Sequence, residues 1–511
     1  MAELPPAPPD ERRVPLEAAR RVHVVGVGGS GMSAIARVLV GMGFEVSGSD
    51  AHYSATLDSL VAIGVDARVG NYREAAENAD LLVSSTAVPA GDPDVDAARR
   101  AGVPTWSRAE MLSAVCATKR TIAVSGTHGK TTTSAMTAVA LSELGWRPSW
   151  IVGSEINGFG PGGHWDPDGD WLVVEADESD GTFTSLPAYA AVVTNVDADH
   201  VEFYGSVEAL EAEFVRFAAQ AGALSVVCVD DAGSRRVAEL LFAVPSQGRP
   251  RRPSMVTYGM LPSADVTVSA LEMDGRGSRF AVHLGVASAL VGDRTPDRPL
   301  EASGPGLAGS GPPDGGVVQV ELEVPGAHNV LNATAVVALV TMLGAPSAQV
   351  ADAVGSFKGV ARRFERRGEV SGVTFVDGYD HLPGEVSAAI ATAKLGTWSR
   401  VVVVFQPHRY SRTEALWAQF GACFAGADVV VITGLYPAGE SPRPGVDERL
   451  IFDALRSANP EIEAYHSPGL SDTADLLASV LKPGDLCLTL GAGDVTDVGD
   501  MVIAALGGGQ S

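Results

Sequence analysis

The stretch TIAVSGTHGKTTTSAMTAVALSELG, residues 121–145, constrains the fold of this chain more than any other. A β-branched apolar run passes through a glycine turn carrying a lysine into residues with helical spacing, which reads as a strand, a phosphate-type loop and a helix. Such a unit needs a sheet with helices packed on it. The same rhythm occurs on both sides. Before it, RVHVVGVGGSGMSAIARVLVGMGFEVSGSD reads as a strand, glycine turn, helix and second strand ending at Asp50. After it, VTFVDGY, SRVVVVFQP, ADVVVITGLY and DLCLTLGAG repeat the pattern. The expected fold class is therefore α/β, with three domains over residues 18–115, 116–358 and 359–511.

A chain of 511 residues has room for three domains at roughly 150 residues each. Residues 1–17 are Pro-rich and acidic and read as a disordered tail. The Pro/Gly-rich run PDRPLEASGPGLAGSGPPDGG, about 296–316, reads as a flexible insertion in the central domain. The first residues lack the basic start and apolar stretch of a signal peptide, and no window is apolar for 18 residues, so a cytoplasmic protein without a membrane partner is expected. A net charge of −25 argues against nucleic acid and anionic membranes as partners. Cys116, Cys228, Cys423 and Cys487 form no C-x-x-C pair and sit in apolar runs, which reads as core.

Gly126, Thr127, His128, Gly129, Lys130, Thr131 and Thr132 stand between strand and helix, where backbone N–H groups and the helix dipole can cradle a polyphosphate. Lys130 is placed to meet the β- and γ-phosphates and Thr131 a Mg²⁺. Val124 occupies the place of the first glycine of G-x-x-x-x-G-K-[ST], so the loop is a shortened relative of that pattern. The run from Glu175 to Asp180 follows the strand WLVV, at the strand end where α/β sheets put their ligands. Its carboxylates, with Asp197, Asp199 and His200, offer ligands for a nucleotide-bound Mg²⁺. Gly26, Gly28 and Gly31, with Asp50 19 residues further on, satisfy a G-x-G-x-x-G fingerprint whose physical content is a pyrophosphate site at a helix N-terminus. Arg362, Arg363, Arg409 and Arg412 are candidate clamps for substrate carboxylate or phosphate.

Taken in order, GVGGSGMS with SGSD, SSTAVP, GTHGKTTT, EADESDGTF, TNVDADHVEFYG, HNVLNA, RRFE, FQPHRYSRT and GAGD resemble the motifs of the Mur ligases across nearly the whole chain. The resemblance implies an N-terminal Rossmann-like domain for a UDP-sugar, a central P-loop ATPase-type domain and a C-terminal Rossmann-like domain. It implies ATP-driven amide formation, in which the lactyl carboxylate of UDP-N-acetylmuramate takes the γ-phosphoryl group and the acyl phosphate is attacked by L-alanine, a step of peptidoglycan precursor synthesis. ATP and Mg²⁺ are the implied cofactors, and a monomer or weak homo-oligomer is expected. Position by position, Lys130 matches the family's phosphate-binding lysine, Thr131 and Glu175 its first magnesium site, and His200 its second. Asn329 and Asn332 match the adenine-side asparagines, and Arg363 the arginine near the reacting phosphate. Tyr379, with His408, Arg409 and Arg412, is expected on the substrate side, and His381 is expected to be catalytic with Lys130, Glu175, His200 and Arg363. Gly28, Gly29, Ser30, Gly31, Ser49 and Asp50 match the UDP-holding turn.

One stretch departs from the pattern. The family reads D-D-Y-[GA]-H-H-P-T-E, with its second Asp close to ATP, whereas this chain has DGYDHLPGE, placing Gly378 at the second Asp and Leu382 at the second His. Either Asp377 or Asp380 is in reach to replace the missing carboxylate. The competing readings are a ligase that attaches a recycled tripeptide to the same sugar nucleotide, a nucleotide-binding paralogue that has lost turnover through this loop, and a dehydrogenase that leaves the lysine loop without a task.

Overall fold

The computed structural model describes residues 16–85, 87–197, 201–243, 254–285 and 316–507, with the side chains of 201 and 202 excepted. His200, Asp199, residues 1–15 of the expected tail and nearly all of the 296–316 insertion lie outside these residues. Leu16–Ala18 form a 3₁₀ turn with Leu16 buried, so described structure begins ahead of the boundary expected at residue 18.

The strands fall into three sheets. The first runs, in spatial order, Asp66–Val69, Glu45–Asp50, Arg21–Val25, Leu81–Ser84 and Thr105–Ser107, all parallel. Its central strand RVHVV is buried after its first residue, as expected of a strand covered on both faces. The glycine turn then leads into the helix Ser30–Gly41, which buries Met32, Ile35, Val38 and Leu39 against the sheet.

The second sheet has ten strands. The strand Arg120–Ser125 lies between Trp171–Glu175 and Ala190–Val193, parallel to both. Outward from Ala190–Val193 come Leu224–Cys228, Ser254–Gly259, Val266–Met273, Ser278–His283 and Val317–Leu322; outward from Trp171–Glu175 come Ser149–Ile151 and Gly163–His164. The helix Lys130–Glu143 leaves the phosphate-type loop and is buried at every position from Thr131 to Leu141. A helix buried all round lies inside a domain and anchors the loop at its start.

The third sheet runs Glu365–Val370, Val373–Gly378, Asp485–Leu490, Arg400–Phe405, Val429–Thr433 and Glu463–Ser467. Its first pair is antiparallel and the rest parallel. The α/β class and the mostly parallel sheets agree with the expectation. The first sheet and most of the second belong to one compact unit, while Ala270–Phe280, Glu321–Val330 and Phe357–Ser511 form the other. All four cysteines are buried and unbridged, and burial pushes the Cys116 and Cys487 thiols up to about 12. Among the described residues no helix is long and apolar enough to cross a membrane.

Candidate active site

The phosphate-type loop is shaped by its glycines and braced by the neighbouring strand end. Gly126 has φ +138°, and a Cβ there would lie 2.0 Å from the Thr194 hydroxyl oxygen, so only glycine fits without a shift. Gly129 precedes the helix at φ +81°, its α-carbon packed against Asn332. The His128 N–H donates to Asn195 Oδ1 at 2.8 Å, and the His128 carbonyl accepts from Thr194 Oγ1 and Asn195 Nδ2 at 2.6 and 2.9 Å. The Asp197 N–H donates to Thr127 Oγ1 at 2.9 Å, and His128 Nε2 lies 3.2 Å from Asp197 Oδ2. That hydrogen bond to His128 holds the Asp197 carboxyl below its ordinary range. Thr132 is buried at the start of the helix.

Lys130 extends back over this loop. Its Nζ donates to the Gly126 and Thr127 carbonyls at 2.7 and 3.2 Å and to both oxygens of Glu178 at 2.9 and 2.8 Å. Burial opposes the ammonium charge, but Glu178, Asp177 and Glu175 outweigh it and hold the Lys130 pKa above its ordinary value. Thr131 Oγ1 donates to Glu175 Oε1 at 2.9 Å, and the Gly153 N–H donates to Glu175 Oε2 at 2.8 Å. A hydroxyl and a fixed carboxylate beside a phosphate loop form a hard-oxygen pair that suits a nucleotide-bound Mg²⁺, which keeps waters and takes only one or two protein carboxylates. No cluster of three or more His, Cys, Asp or Glu among the described residues offers a self-sufficient metal cage.

The turn after Arg21–Val25 forms a second candidate site in the same unit. The Gly28 N–H donates to Asp50 Oδ2 at 2.9 Å and the His52 N–H to Asp50 Oδ1 at 3.1 Å, so Asp50 closes the turn. Ser49 is buried, and its carbonyl accepts from the Gly26 and Val27 N–H groups. Gly29 and Ser30 are exposed at the start of the helix. Gly31 approaches Arg108 so closely that a Cβ would lie 3.1 Å from Nε, a buried atom without a hydrogen-bond partner among the described residues. Arg108 was not legible in the sequence as a site residue. Its only local signal is SRAE directly after the strand Thr105–Ser107, where Ser107 and Glu110 form a capping box.

The C-terminal unit carries its own cluster. The Tyr379 ring lies 5.2 and 5.5 Å from the guanidinium carbons of Arg362 and Arg363, and it meets the His381 ring edge-on at 5.4 Å. His381 stands 5.9 Å from His408, whose ring stacks on Tyr436 at 5.6 Å. Burial lowers the pKa of His381 and, with Arg412, His381 and Arg409, pushes His408 down to about 3. A neutral His408 then accepts from Arg412 Nη1 through Nδ1 at 3.0 Å. Arg409 is exposed and holds φ +70° ahead of the helix Tyr410–Cys423, its N–H donating to the Tyr436 carbonyl at 2.8 Å.

One residue expected to face a ligand, Arg362, is engaged elsewhere. Arg362 is a structural clasp: Nε lies 3.2 Å from Asp377 Oδ2, and Nη2 donates to the Gly491 and Gly493 carbonyls at 2.6 and 3.1 Å. The paired asparagines Asn329 and Asn332 are both buried on the helix Ala327–Met342, and the Asn329 amide donates to the Pro325 carbonyl at 2.7 Å. Asn195 is a site residue without a role of its own in the motif TNVD, and Glu178, expected with the other carboxylates of its run as a metal ligand, is instead paired with Lys130.

Three family models match the chain: "Mur ligase family, catalytic domain" over residues 21–120, "Mur ligase middle domain" over 124–340 and "Mur ligase, glutamate ligase domain" over 362–493. A UDP-N-acetylmuramate–L-alanine ligase of Solidesulfovibrio magneticus is 40% identical over 94% of this chain and 97% of its own length. One of Kineococcus radiotolerans is 42% identical over 95% of this chain and 96% of its own. The crystal structure of a UDP-N-acetylmuramate–alanine ligase from Thermotoga maritima superposes with a TM-score of 0.76 at 27% identity, covering 96% of this chain and all of that one.

Proposed function

This chain belongs to the Mur ligase family, and from that premise we propose that it joins L-alanine to the lactyl carboxylate of UDP-N-acetylmuramate with cleavage of ATP to ADP and phosphate, a step in peptidoglycan precursor synthesis. The observation that carries this reading is the phosphate loop: Lys130 and Thr131 open a helix buried from Thr131 to Leu141, beside the fixed carboxylate of Glu175, in a chain that matches alanine-adding ligases over nearly all its length.

A carboxylate does not acylate an amine directly, because its leaving group is an oxide. Transfer of the γ-phosphoryl group to the lactyl carboxylate gives an acyl phosphate and ADP. The free amine of L-alanine attacks the acyl carbon, phosphate leaves, and the ammonium loses its extra proton. Phosphoryl transfer asks the protein mainly to position and to stabilise charge. Lys130 sets a cation over the phosphate loop, and the N–H groups at the start of its helix face the same region. Thr131 and Glu175 would hold Mg²⁺, which would offset the negative charge of the phosphates. Gly28 to Gly31 provide the helix start for the UDP pyrophosphate. Arg363, Arg409 and Arg412 provide guanidinium groups for the substrate carboxylates and the reacting phosphate, with His381 and His408 kept neutral beside them. The protein is proposed to be cytoplasmic, as a monomer or weak homo-oligomer.

ADP release, followed with ATP, UDP-N-acetylmuramate and L-alanine and then with each left out in turn, tests the reading. Release only with all three is the expected result. Release with a tripeptide and not with L-alanine would show the recycling reaction instead.

A further inference from the structure

Tyr436 stands inside the C-terminal cluster, and the proposed chemistry leaves it without a task. It follows the strand Val429–Thr433, and its backbone is tied to the loop after Arg400–Phe405. Its N–H donates to the Pro407 carbonyl and its carbonyl accepts from the Arg409 N–H, both at 2.8 Å, with His408 bridged to it in parallel register. The base of its ring lies on Gly493, where a Cβ would come 2.6 Å from Tyr436 Cγ, 2.8 Å from Tyr436 Cβ and 2.3 Å from Gln406 Oε1. What this glycine supplies is room. Its backbone is held in place: the Gly493 carbonyl accepts from Arg362 Nη2 at 3.1 Å, and Gln406 grips the next two residues, with Nε2 donating to Asp494 Oδ1 at 2.7 Å and Oε1 accepting from the Val495 N–H at 3.2 Å. The Tyr436 ring stacks on His408, with centroids 5.6 Å apart and planes 10° from parallel. His408 Nδ1 accepts from Arg412 Nη1 at 3.0 Å. Gly493, Tyr436, His408 and Arg412 are thus an unbroken line of contacts from a fixed backbone to a guanidinium.

We propose that Tyr436 is a positioning residue: its ring, seated on Gly493, fixes the His408 imidazole, which orients the Arg412 guanidinium toward a substrate carboxylate. The proposal rests on the ligase reading, in which UDP-N-acetylmuramate and L-alanine each bring a carboxylate. Half a turn of the imidazole about its own bond puts a carbon where Nδ1 stands, and the hydrogen bond from Arg412 is then lost. A flat ring stacked on the imidazole holds its plane. A guanidinium on a long side chain loses much rotational freedom when it presents an edge to a carboxylate, and a contact that fixes it beforehand reduces that loss. These contacts use the backbone and the ring of Tyr436. Phenylalanine keeps them, and leucine, without a flat face, does not.

The test is steady-state ADP release by the full-length enzyme and its Y436F, Y436L and G493A variants, with ATP, UDP-N-acetylmuramate and L-alanine varied in turn and thermal midpoints measured alongside. Y436L is expected to raise KM about tenfold for one of the two carboxylate substrates, while the other KM, the KM for ATP and kcat stay within about threefold of the parent. The KM that rises identifies whose carboxylate Arg412 receives. G493A, which pushes the ring off its seat, is expected to raise the same KM, and Y436F to stay within about twofold of the parent. Made in an R412M background, Y436L should add less than about twofold, because the ring acts through that arginine. Parental KM values in Y436L or in folded G493A, a rise shared by all three substrates, a Y436F enzyme as impaired as Y436L, or a full further rise in R412M overturns the proposal. If the parent itself shows no substrate-dependent ADP release, the ligase reading fails, and the hold on His408 is then read from its imidazole nitrogens by NMR, assigned by their loss in H408Q. The tautomer with its proton on Nε2 is expected in the parent and Y436F and is expected to be depleted in Y436L, and equal tautomer populations in Y436L and the parent overturn the hold.

Discussion

Lys130 and Glu178 form a two-pronged ion pair across the phosphate loop, with Nζ 2.9 and 2.8 Å from the two carboxylate oxygens and Glu178 1% exposed. The pair keeps the lysine charged and aimed at the loop before any nucleotide arrives. Replacing Lys130 alone therefore removes a phosphate ligand and also strands a buried carboxylate. We expect Lys130→Met to reduce ADP release by about 10²-fold or more. It should also cost on the order of 3 kcal/mol in urea unfolding, whereas K130M/E178L should regain much of the stability and none of the activity. Equal stability losses in the two variants would refute the pairing argument.

Thr131 and Glu175 test the magnesium assignment. Thr131→Val keeps the side-chain shape and removes the hydroxyl that donates to Glu175 Oε1. The Mg²⁺ concentration giving half-maximal ADP release should rise about tenfold in T131V and further in E175Q, since each loses one hard-oxygen ligand or its orientation. An unchanged Mg²⁺ dependence in both would move the metal elsewhere.

Gly126 has no room for a methyl group. Gly126→Ala places Cβ 2.0 Å from Thr194 Oγ1 and 3.0 Å from the Asn195 N, at a φ of +138° that alanine disfavours. Destabilisation of about 2 kcal/mol or more is expected, with loss of nucleotide binding by isothermal titration. Gly145, which also has positive φ but open space around it, should tolerate alanine at a smaller cost.

Asp380 makes stability depend on pH in a direction opposite to most carboxylates. Its folded pKa of about 7 lies above the ordinary 3.8 because of burial, with Arg363 pulling it down and Glu385 and Asp377 pushing it up. The stabilising contribution of the protonated acid is complete below the unfolded pKa and is lost as pH rises through the folded one. Asp380→Asn should therefore stabilise the protein relative to the parent by a margin that grows from about pH 4 to pH 7 and then levels off, reaching on the order of 2 kcal/mol. A margin that shrinks over that range would contradict the assignment.

The parts of the site that are contiguous in the chain were legible before the fold was known. Gly126 to Thr132 and Gly28 to Gly31 each lie where an apolar strand passes through glycines into a helix, and both turn out to be βα turns at strand ends. The three α/β rhythms correspond to three sheets. Partnerships across the chain were not legible. Glu178 stood in a quoted motif, but nothing local says that it pairs with a lysine 48 residues away. Arg362 and Arg363 read alike in sequence, yet one is clasped by carbonyls 129 and 131 residues away and the other is not. Arg108 carried no signal beyond a helix cap, and its relation to Gly31 exists only because the first sheet brings the two together.

The sequence by itself determined the α/β class, the two glycine turns and the lysine loop, because strand and helix periodicity and the demand for glycine at tight turns act over a few residues. The tertiary structure decided which of two neighbouring carboxylates is spent and which is spare. Asp377, in the strand Val373–Gly378, and Asp380, just past its end, are three residues apart. One is consumed by Thr489, Thr496 and Arg362, and the other folds back over Gly378. Packing makes that allocation, since a buried polar group must find its partners wherever the fold brings them, at whatever distance along the chain.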